Sequence, residues 1–193
     1  DQNNQPRTLD TIKVNSGYFE LKTEIIEPNI HFLQIDGKQG TFPFIAENGT
    51  VDIQVYKDSL GASEAKGTVS NDDFMRYKSE TKIYIESLNG IGNDLQQAMI
   101  LKDSLLAEDL KEQYQDVRDQ IENYELNFIK DSPNSLISVL ILERFVTNKI
   151  IPLSESKSIF ESFSNQIKNT NSGRIIQKQL EATPKAEVGQ IAP

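Results

Sequence analysis

Residues 132–145 read SPNSLISVLILERF, and this stretch decides the fold of the chain. Its large apolar side chains, which run from Leu136 to Phe145, fall on nearly every side of any helix drawn through them. An element that is apolar all round must be buried, so we expect a central helix that its neighbours cover. Ser132 is predicted to cap this helix, with Pro133 at the first helical position, where the missing proline N–H costs nothing.

The sequence before this stretch predicts two long amphipathic helices. Within residues 74–98, and again within residues 110–128, mostly apolar side chains recur at alternating intervals of three and four. The first stripe keeps its phase across Gly90 and Gly92, which favours one long helix although each glycine costs about 1 kcal/mol. Two such stripes joined by a short connection predict an antiparallel helical hairpin with coiled-coil-like packing.

Serine residues mark where we expect the other helices to begin. Ser70, with Asp73 three residues later, resembles a capping box at the start of the first long helix. Ser154 is predicted to cap a helix that follows the central one. After an interruption at residues 169–173, the apolar side chains of residues 175–180 predict a short final helix.

The first third of the chain has the pattern of β structure. Residues 8–69 alternate with period two and are interrupted by turn residues. Asn15-Ser16-Gly17 predicts a turn between two strands. Asn48-Gly49 is predicted to close a hairpin between residues 41–47 and 50–56, because a type I′ turn needs positive φ at both central positions.

These patterns together predict an α+β fold with three consecutive regions. Residues 1–69 are expected to form an antiparallel β meander or sandwich, and residues 70–182 a helical region that contains the long hairpin. Residues 183–193 contain two prolines and a glycine, lack any periodicity and are predicted to be a linker.

Composition excludes several classes of function. The chain has a net charge of −9, no cysteine and one histidine, His31. The absence of cysteine excludes disulfides, thiol nucleophiles and cysteine-based zinc sites in this sequence. No basic stripe is present, which argues against nucleic acid or an anionic membrane as partner. No apolar run approaches the roughly 20 residues that span a bilayer, and the polar first residues suggest that any export signal has been removed.

Few residues are candidates for catalysis, and each has a simpler interpretation. His31 has no partner that the sequence identifies, so a structural role is favoured over acid–base chemistry. Asp72-Asp73 and Glu108-Asp109 could share protons or hold a metal, but both pairs lie near predicted helix starts, where carboxylates offset the helix dipole. We therefore expect no catalytic residue, no metal site and no cofactor in this chain.

Binding surfaces are the remaining candidates. The heptad stripes could pair with a helix of another chain, but two matching stripes close together favour the internal hairpin. The concave face of the predicted sheet is a possible binding surface on which five aromatic residues are expected to converge, and an exposed apolar surface of the hairpin is an alternative. The aromatic residues are Tyr18, Phe32, Phe42, Phe44 and Tyr56.

Several stretches in the same order resemble the N-terminal region of a known group of proteins. They are LDTIKVNSGYFEL, FIAENGTVDI, KGTVSNDDFMRY, FIKDSPNSLISVLIL and the closing VGQIAP. This combination is similar to the region of unknown function that precedes the thioredoxin-like domain in TlpA/ResA-type thiol-disulfide oxidoreductases of Gram-negative gut bacteria. The resemblance covers most of the chain, and VGQIAP resembles the usual entry into the thioredoxin-like domain.

The resemblance implies a function that the residues alone do not. It implies a non-catalytic accessory region of an exported redox protein, in the periplasm or cell envelope, whose Cys-x-x-Cys centre lies in the domain that follows. Its implied partners are that domain, substrate proteins or a second copy of itself, with a membrane contacted only through a removed lipid anchor. Three short tripeptides also resemble an O-glycosylation signal of this bacterial group: Asp10-Thr11-Ile12, Asp58-Ser59-Leu60 and Asp103-Ser104-Leu105. The alternative is a free-standing envelope module that binds a protein or a ligand.

Overall fold

The computed structural model of the protein describes residues 7–182 and confirms the α+β fold. The predicted linker at residues 183–193, with VGQIAP, lies outside the described residues. Four short strands come first: β1 (Asn29–Leu33), β2 (Phe42–Ala46), β3 (Asp52–Gln54) and β4 (Glu64–Lys66). Six helices follow: α1 (Val69–Leu101), α2 (Ser104–Asp131), α3 (Leu136–Thr147), α4 (Leu153–Ser162), α5 (Asn165–Lys168) and α6 (Asn171–Ala182).

The strands form two separate antiparallel pairs, β1 with β2 and β3 with β4. The predicted hairpin at Asn48-Gly49 is therefore wrong, because β2 and β3 on either side of it do not pair. Gly49 has a φ of 128°, but Asn48 keeps a negative φ, so the type I′ turn does not form. The edge that β2 offers at Ile45 is instead occupied by a side chain of α1, Asn71.

The predicted turn near the start of the chain is present, but its strands are not. Ser16 and Gly17 have φ values of 52° and 84°, and Asn15 and Tyr18 exchange two backbone hydrogen bonds of 2.9 Å. Beyond this single bridge, residues 7–28 contain no strand. A hairpin without a third strand or a helix to cover it gains little stability in water, which accounts for the missing ladder.

The predicted helical hairpin is confirmed as α1 and α2. Helix α1 is continuous across Gly90 and Gly92, as the phase of its stripe predicts. It ends at Leu101, and its C-cap residue Lys102 takes the left-handed conformation with a φ of 57°. The next residue, Asp103, already caps α2, so the two helices turn back on each other within two residues.

The predicted capping box at the start of α1 is wrong. Thr68 occupies the N-cap position and makes no side-chain cap there. The Ser70 hydroxyl instead accepts a hydrogen bond from the backbone N–H of Leu136 at 3.3 Å, and Asp73 pairs with Arg76 at 2.9 Å. Burial against α3 thus diverts the serine from the local role that its spacing predicts.

The predicted caps of α3 and α4 are also wrong. Ser132 is the C-cap residue of α2, where its N–H donates to the Phe128 carbonyl, so it cannot also begin the next helix. Helix α3 starts four residues later, with Ser135 as its N-cap and the Ile137 N–H as the donor. Helix α4 begins at Leu153 after Pro152, one residue before the predicted cap Ser154.

The central helix is buried, as its sequence predicts. Val139, Leu142 and Phe145 of α3 are fully inaccessible to solvent. The same core takes in side chains from α2, α4, α5, α6 and the strand residue Ile45, so β2 packs directly on the helical core. The other buried members of this core are Phe128, Ile129, Leu136, Ile137, Ile141, Ile159, Phe160, Phe163, Ile167 and Ile176.

The two glycines within α1 have no packing role, and their replacement is expected to stabilise the protein. A Cβ atom at Gly90 or Gly92 meets nothing within 4 Å. Gly90→Ala and Gly92→Ala are each expected to raise the free energy of unfolding in urea by about 0.5–1 kcal/mol, because alanine loses less backbone entropy in a helix. The matched control is Gly173→Ala in α6, whose Cβ collides with the Lys168 carbonyl and which must destabilise. Unchanged or lower stability in both α1 variants contradicts this interpretation.

Candidate functional site

The end of the helical hairpin carries the most concentrated group of exposed apolar side chains on the helices. We call residues 99–106 the hairpin end. Its five large apolar side chains have exposed fractions between 45% at Leu106 and 80% at Leu105. The five are Met99, Ile100, Leu101, Leu105 and Leu106. Single exposed apolar residues are ordinary, but a contiguous group of them is typical of a binding surface.

The local sequence holds the hairpin end in a defined shape. The Asp103 N–H donates to the Ala98 carbonyl at 3.0 Å, which closes the end of α1. The Asp103 carboxylate accepts from the Leu106 N–H at 3.1 Å, which caps the start of α2. Both ends of the turn are therefore fixed by hydrogen bonds, and the apolar side chains project from an ordered support.

A small separate core lies directly beneath the hairpin end. Ala98 and Ala107 are buried there with Leu110, and Ile91 and Leu95 pack against them. The large apolar residues next to the two alanines in the sequence lie outside this small core and are exposed to solvent.

Acidic residues outnumber basic ones on the helical turns that flank the hairpin end. Between residues 94 and 112 the chain has five acidic and two basic side chains, a net charge of −3. None of the ion pairs found within residues 7–182 joins Lys102 or Lys111 to one of these acids. The acids are Asp94, Asp103, Glu108, Asp109 and Glu112. The apolar hairpin end is thus flanked on both helices by net negative charge, and we call these five acids the acidic rim.

A buried polar network lies where the other end of the hairpin meets α3. Glu125 of α2 is only 2% exposed, and one of its carboxylate oxygens accepts from the Tyr77 hydroxyl at 2.6 Å. Its other oxygen accepts from the Arg144 guanidinium. The network therefore joins three helices: α2 supplies the carboxylate, and α1 and α3 each supply one side chain that donates to it.

Aromatic rings enclose this network. Tyr77, Tyr124 and Phe128 have ring centroids 5.5–6.1 Å apart, and Arg76 lies 4.7 Å from the centroid of the Phe128 ring. Burial, together with the hydrogen bond to Glu125, raises the pKa of Tyr77 well above its ordinary value. Burial and the hydrogen bond to Glu80 likewise raise the pKa of Tyr124.

This network has the character of a structural centre. Both tyrosines stay protonated at neutral pH and act as fixed hydrogen-bond donors. Every member already has a partner within the protein, and Glu125 is closed off from solvent. A general acid or base needs a substrate within hydrogen-bond reach, which this arrangement does not offer.

The five aromatic residues of the predicted binding surface do not share one face. Phe42 is fully buried in β2 and cannot contribute to any surface. Phe32 pairs with Pro43 and Phe44 pairs with His31, so Phe32 and Phe44 project from opposite faces of the β1–β2 ladder. Tyr18 and Tyr56 are exposed but lie outside this pair of strands. Ligand binding by the exposed members stays a prediction.

The candidate catalytic residues have structural partners or lie on the surface. His31 is half-buried with its ring 6.1 Å from that of Phe44. Asp72 accepts from the Gly67 N–H at 3.1 Å, and Asp73 pairs with Arg76. Glu108-Asp109 is exposed in the first turns of α2. Among residues 7–182, no group of three or more histidine, cysteine, aspartate and glutamate side chains is placed to hold a metal ion.

An exposed apolar surface on the hairpin is one of the two binding surfaces that the sequence predicts, and the phase of the stripes indicates where on the hairpin it lies. The stripe of α1 reaches Ala98 and its next position is Lys102, so Met99, Ile100 and Leu101 fall off the stripe. Leu105 and Leu106 similarly precede the stripe of α2, which begins at Leu110. Large apolar residues that are out of phase with a buried stripe predict exposure.

Within the described residues, no helix combines the length and the apolar character that crossing a bilayer requires.

Comparisons with known proteins give one family match. Comparison with curated proteins gives no match, and neither does comparison with solved structures. Residues 1–74, which include the four strands and the first turns of α1, match the model of a family described as a domain of unknown function, DUF4369.

Proposed function

We propose that this chain is a non-catalytic accessory region of an exported thioredoxin-like thiol-disulfide oxidoreductase, and that it binds protein through the hairpin end. In this proposal the redox chemistry belongs to a Cys-x-x-Cys pair in a thioredoxin-like domain that follows the chain. The accessory region positions that domain, selects its substrate protein or mediates dimerisation. The compartment we propose is the periplasm or cell envelope, with a lipid anchor as the only membrane contact.

The hairpin end is the observation that carries the binding role. Its apolar side chains project from two helices that extend away from the main core, on a turn that hydrogen bonds hold in place. Burying such groups against a partner is favourable by roughly 25 cal/mol per Å² of apolar surface. A two-helix projection with an apolar end is suited to contact with another protein.

The redox context is supported by the sequence. The resemblance to TlpA/ResA-type proteins covers most of the chain, and the family match lies within its first 74 residues. The chain has no cysteine, so any thiol chemistry must be supplied by another domain or protein. A free-standing envelope binding module is the second candidate, because the hairpin end serves that role equally well.

The intact mass of the natural protein, before and after reduction and thiol alkylation, tests this proposal. We expect a product larger by about 100–150 residues, the size of one further domain. It should gain two alkyl groups only after reduction. The 193-residue chain is the control, since without cysteine it must gain none. A natural product that ends near Pro193 and takes up no alkyl group overturns the accessory role and leaves the free-standing module.

A further inference from the structure

We infer that the partner of the hairpin end is a protein with an apolar pocket rimmed by lysine or arginine side chains, rather than a lipid surface or a second copy of this chain. This inference rests on the proposed binding role and specifies the chemistry of the partner. Two features carry it: the exposed apolar group and the acidic rim.

The apolar group determines the centre of the contact. Leu101 and Leu105 are the most exposed of its members, at 74% and 80%, and they lie on either side of the tight turn. Met99 adds a flexible side chain that adapts to an irregular pocket. A concave apolar pocket that receives both leucines therefore removes the most surface from water.

The acidic rim determines the charge of the partner. Asp94, Asp103, Glu108, Asp109 and Glu112 outnumber the two lysines of the same region. Complementary potentials steer association and exclude partners of like charge. A rim of lysine or arginine matches this pattern.

The same charges disfavour the two other occupants. A lipid surface that received Leu101 and Leu105 would bring Asp103 and Glu108 to its headgroups, where anionic lipids repel carboxylates. A second copy would place two regions of net charge −3 against each other, on chains that each carry −9 overall. Like charges so placed oppose association.

A photo-cross-linking experiment on the full natural protein identifies the partner. Benzoylphenylalanine is incorporated in place of Leu105 in the producing cells, irradiated, and the cross-linked species is identified by mass spectrometry. The matched control carries the same group in place of Ile83, which is 69% exposed on α1. Position 83 lies about 24 Å from Met99 along the helix axis. We expect one protein to cross-link at position 105 and not at position 83.

Binding of the purified partner then tests its chemistry. We expect the Kd to rise at least about 10-fold between about 50 mM and about 500 mM NaCl, because screening weakens the charge contacts. Leu101→Ser with Leu105→Ser, and separately Glu108→Lys, should each weaken binding about 10-fold at low salt. Ile83→Ser and Asp116→Lys are the matched controls and should leave the Kd unchanged.

Each of the following results contradicts the inference, and together they show whether the inference alone or also the proposed binding role fails. Salt-independent binding of a cross-linked partner leaves the binding role standing but contradicts the basic rim. Binding to vesicles of phosphatidylcholine and phosphatidylglycerol that Leu105→Ser abolishes assigns the hairpin end to a lipid surface. Sedimentation that shows a dimer broken by Leu105→Ser assigns it to a second copy. If no species cross-links at position 105, the binding role itself fails, whatever the alkylation measurement shows about the redox domain.

Discussion

Replacing Asn71 with alanine is expected to lower the free energy of unfolding by about 3 kcal/mol, since it strands two buried backbone groups. Asn71 is fully buried at the start of α1. Its amide oxygen accepts from the Ile45 N–H at 2.9 Å, and its amide nitrogen donates to the Ile45 carbonyl at 2.8 Å. The same nitrogen donates to the Thr68 hydroxyl at 2.8 Å. The side chain thus replaces a neighbouring strand at the edge of β2.

Urea unfolding and amide hydrogen exchange measure this effect together. Asn89→Ala is the matched control, because Asn89 is an exposed asparagine of the same helix. Its loss should change stability by less than about 0.5 kcal/mol. In Asn71→Ala the Ile45 amide should also exchange faster than the amides of the β1–β2 ladder. Equal stability of the two variants, with unchanged exchange at Ile45, contradicts the bridging role.

Asn71 also explains why the strand pairing could not be predicted. Asn48-Gly49 is a strong local signal for a hairpin, but it describes only the turn. Pairing of β2 with β3 needs the free edge of β2, and Asn71 occupies that edge from 26 residues further along the chain. A contact of this kind depends on how α1 packs on the sheet, which local sequence does not encode.

The helices were more predictable than the strands, for a physical reason. The apolar stripes of α1 and α2 and the all-round apolar α3 require burial, so their existence and pairing follow from the period of the pattern. The residues at which these helices begin do not follow from that period. Ser70 and Ser132 are both adequate cap residues, but each forms its hydrogen bonds with another element instead.

The candidate site, like the helices, was predictable only in part. Residue type alone does not place an aromatic side chain on a sheet surface, and Phe42 is fully buried in the core. The hairpin end could be read from the phase of the stripes, since five apolar residues fall outside them. The shape of the hairpin end could not be predicted, because its turn depends on the left-handed conformation of Lys102, which lysine rarely adopts.

Replacing Arg144 with methionine is the second large expected effect, a loss of about 2–3 kcal/mol of unfolding free energy. The Arg144 guanidinium bonds to Glu125, whose side chain is 3% exposed. Without it, the carboxylate is left in the core with the Tyr77 hydroxyl as its remaining partner. The Arg144 side chain is itself 40% exposed, so water can partly replace it, and the loss stays below that for a fully buried pair. Methionine keeps the apolar contact of the arginine stem with its surroundings.

A triple replacement separates the effect of a stranded charge from that of lost packing. Tyr77→Phe, Glu125→Met and Arg144→Met together leave no buried polar group without a partner, so this variant should regain most of the stability that Arg144→Met loses. Arg118→Met is the matched control, since Arg118 pairs with Glu122 at 3.6 Å on the surface of α2. It should change stability by less than about 0.5 kcal/mol in the same urea titration. If the triple variant is no more stable than Arg144→Met alone, packing and not the buried carboxylate determines the loss. In that case the side chains of the network hold α1, α2 and α3 together by packing, and their charges do not contribute to the stability.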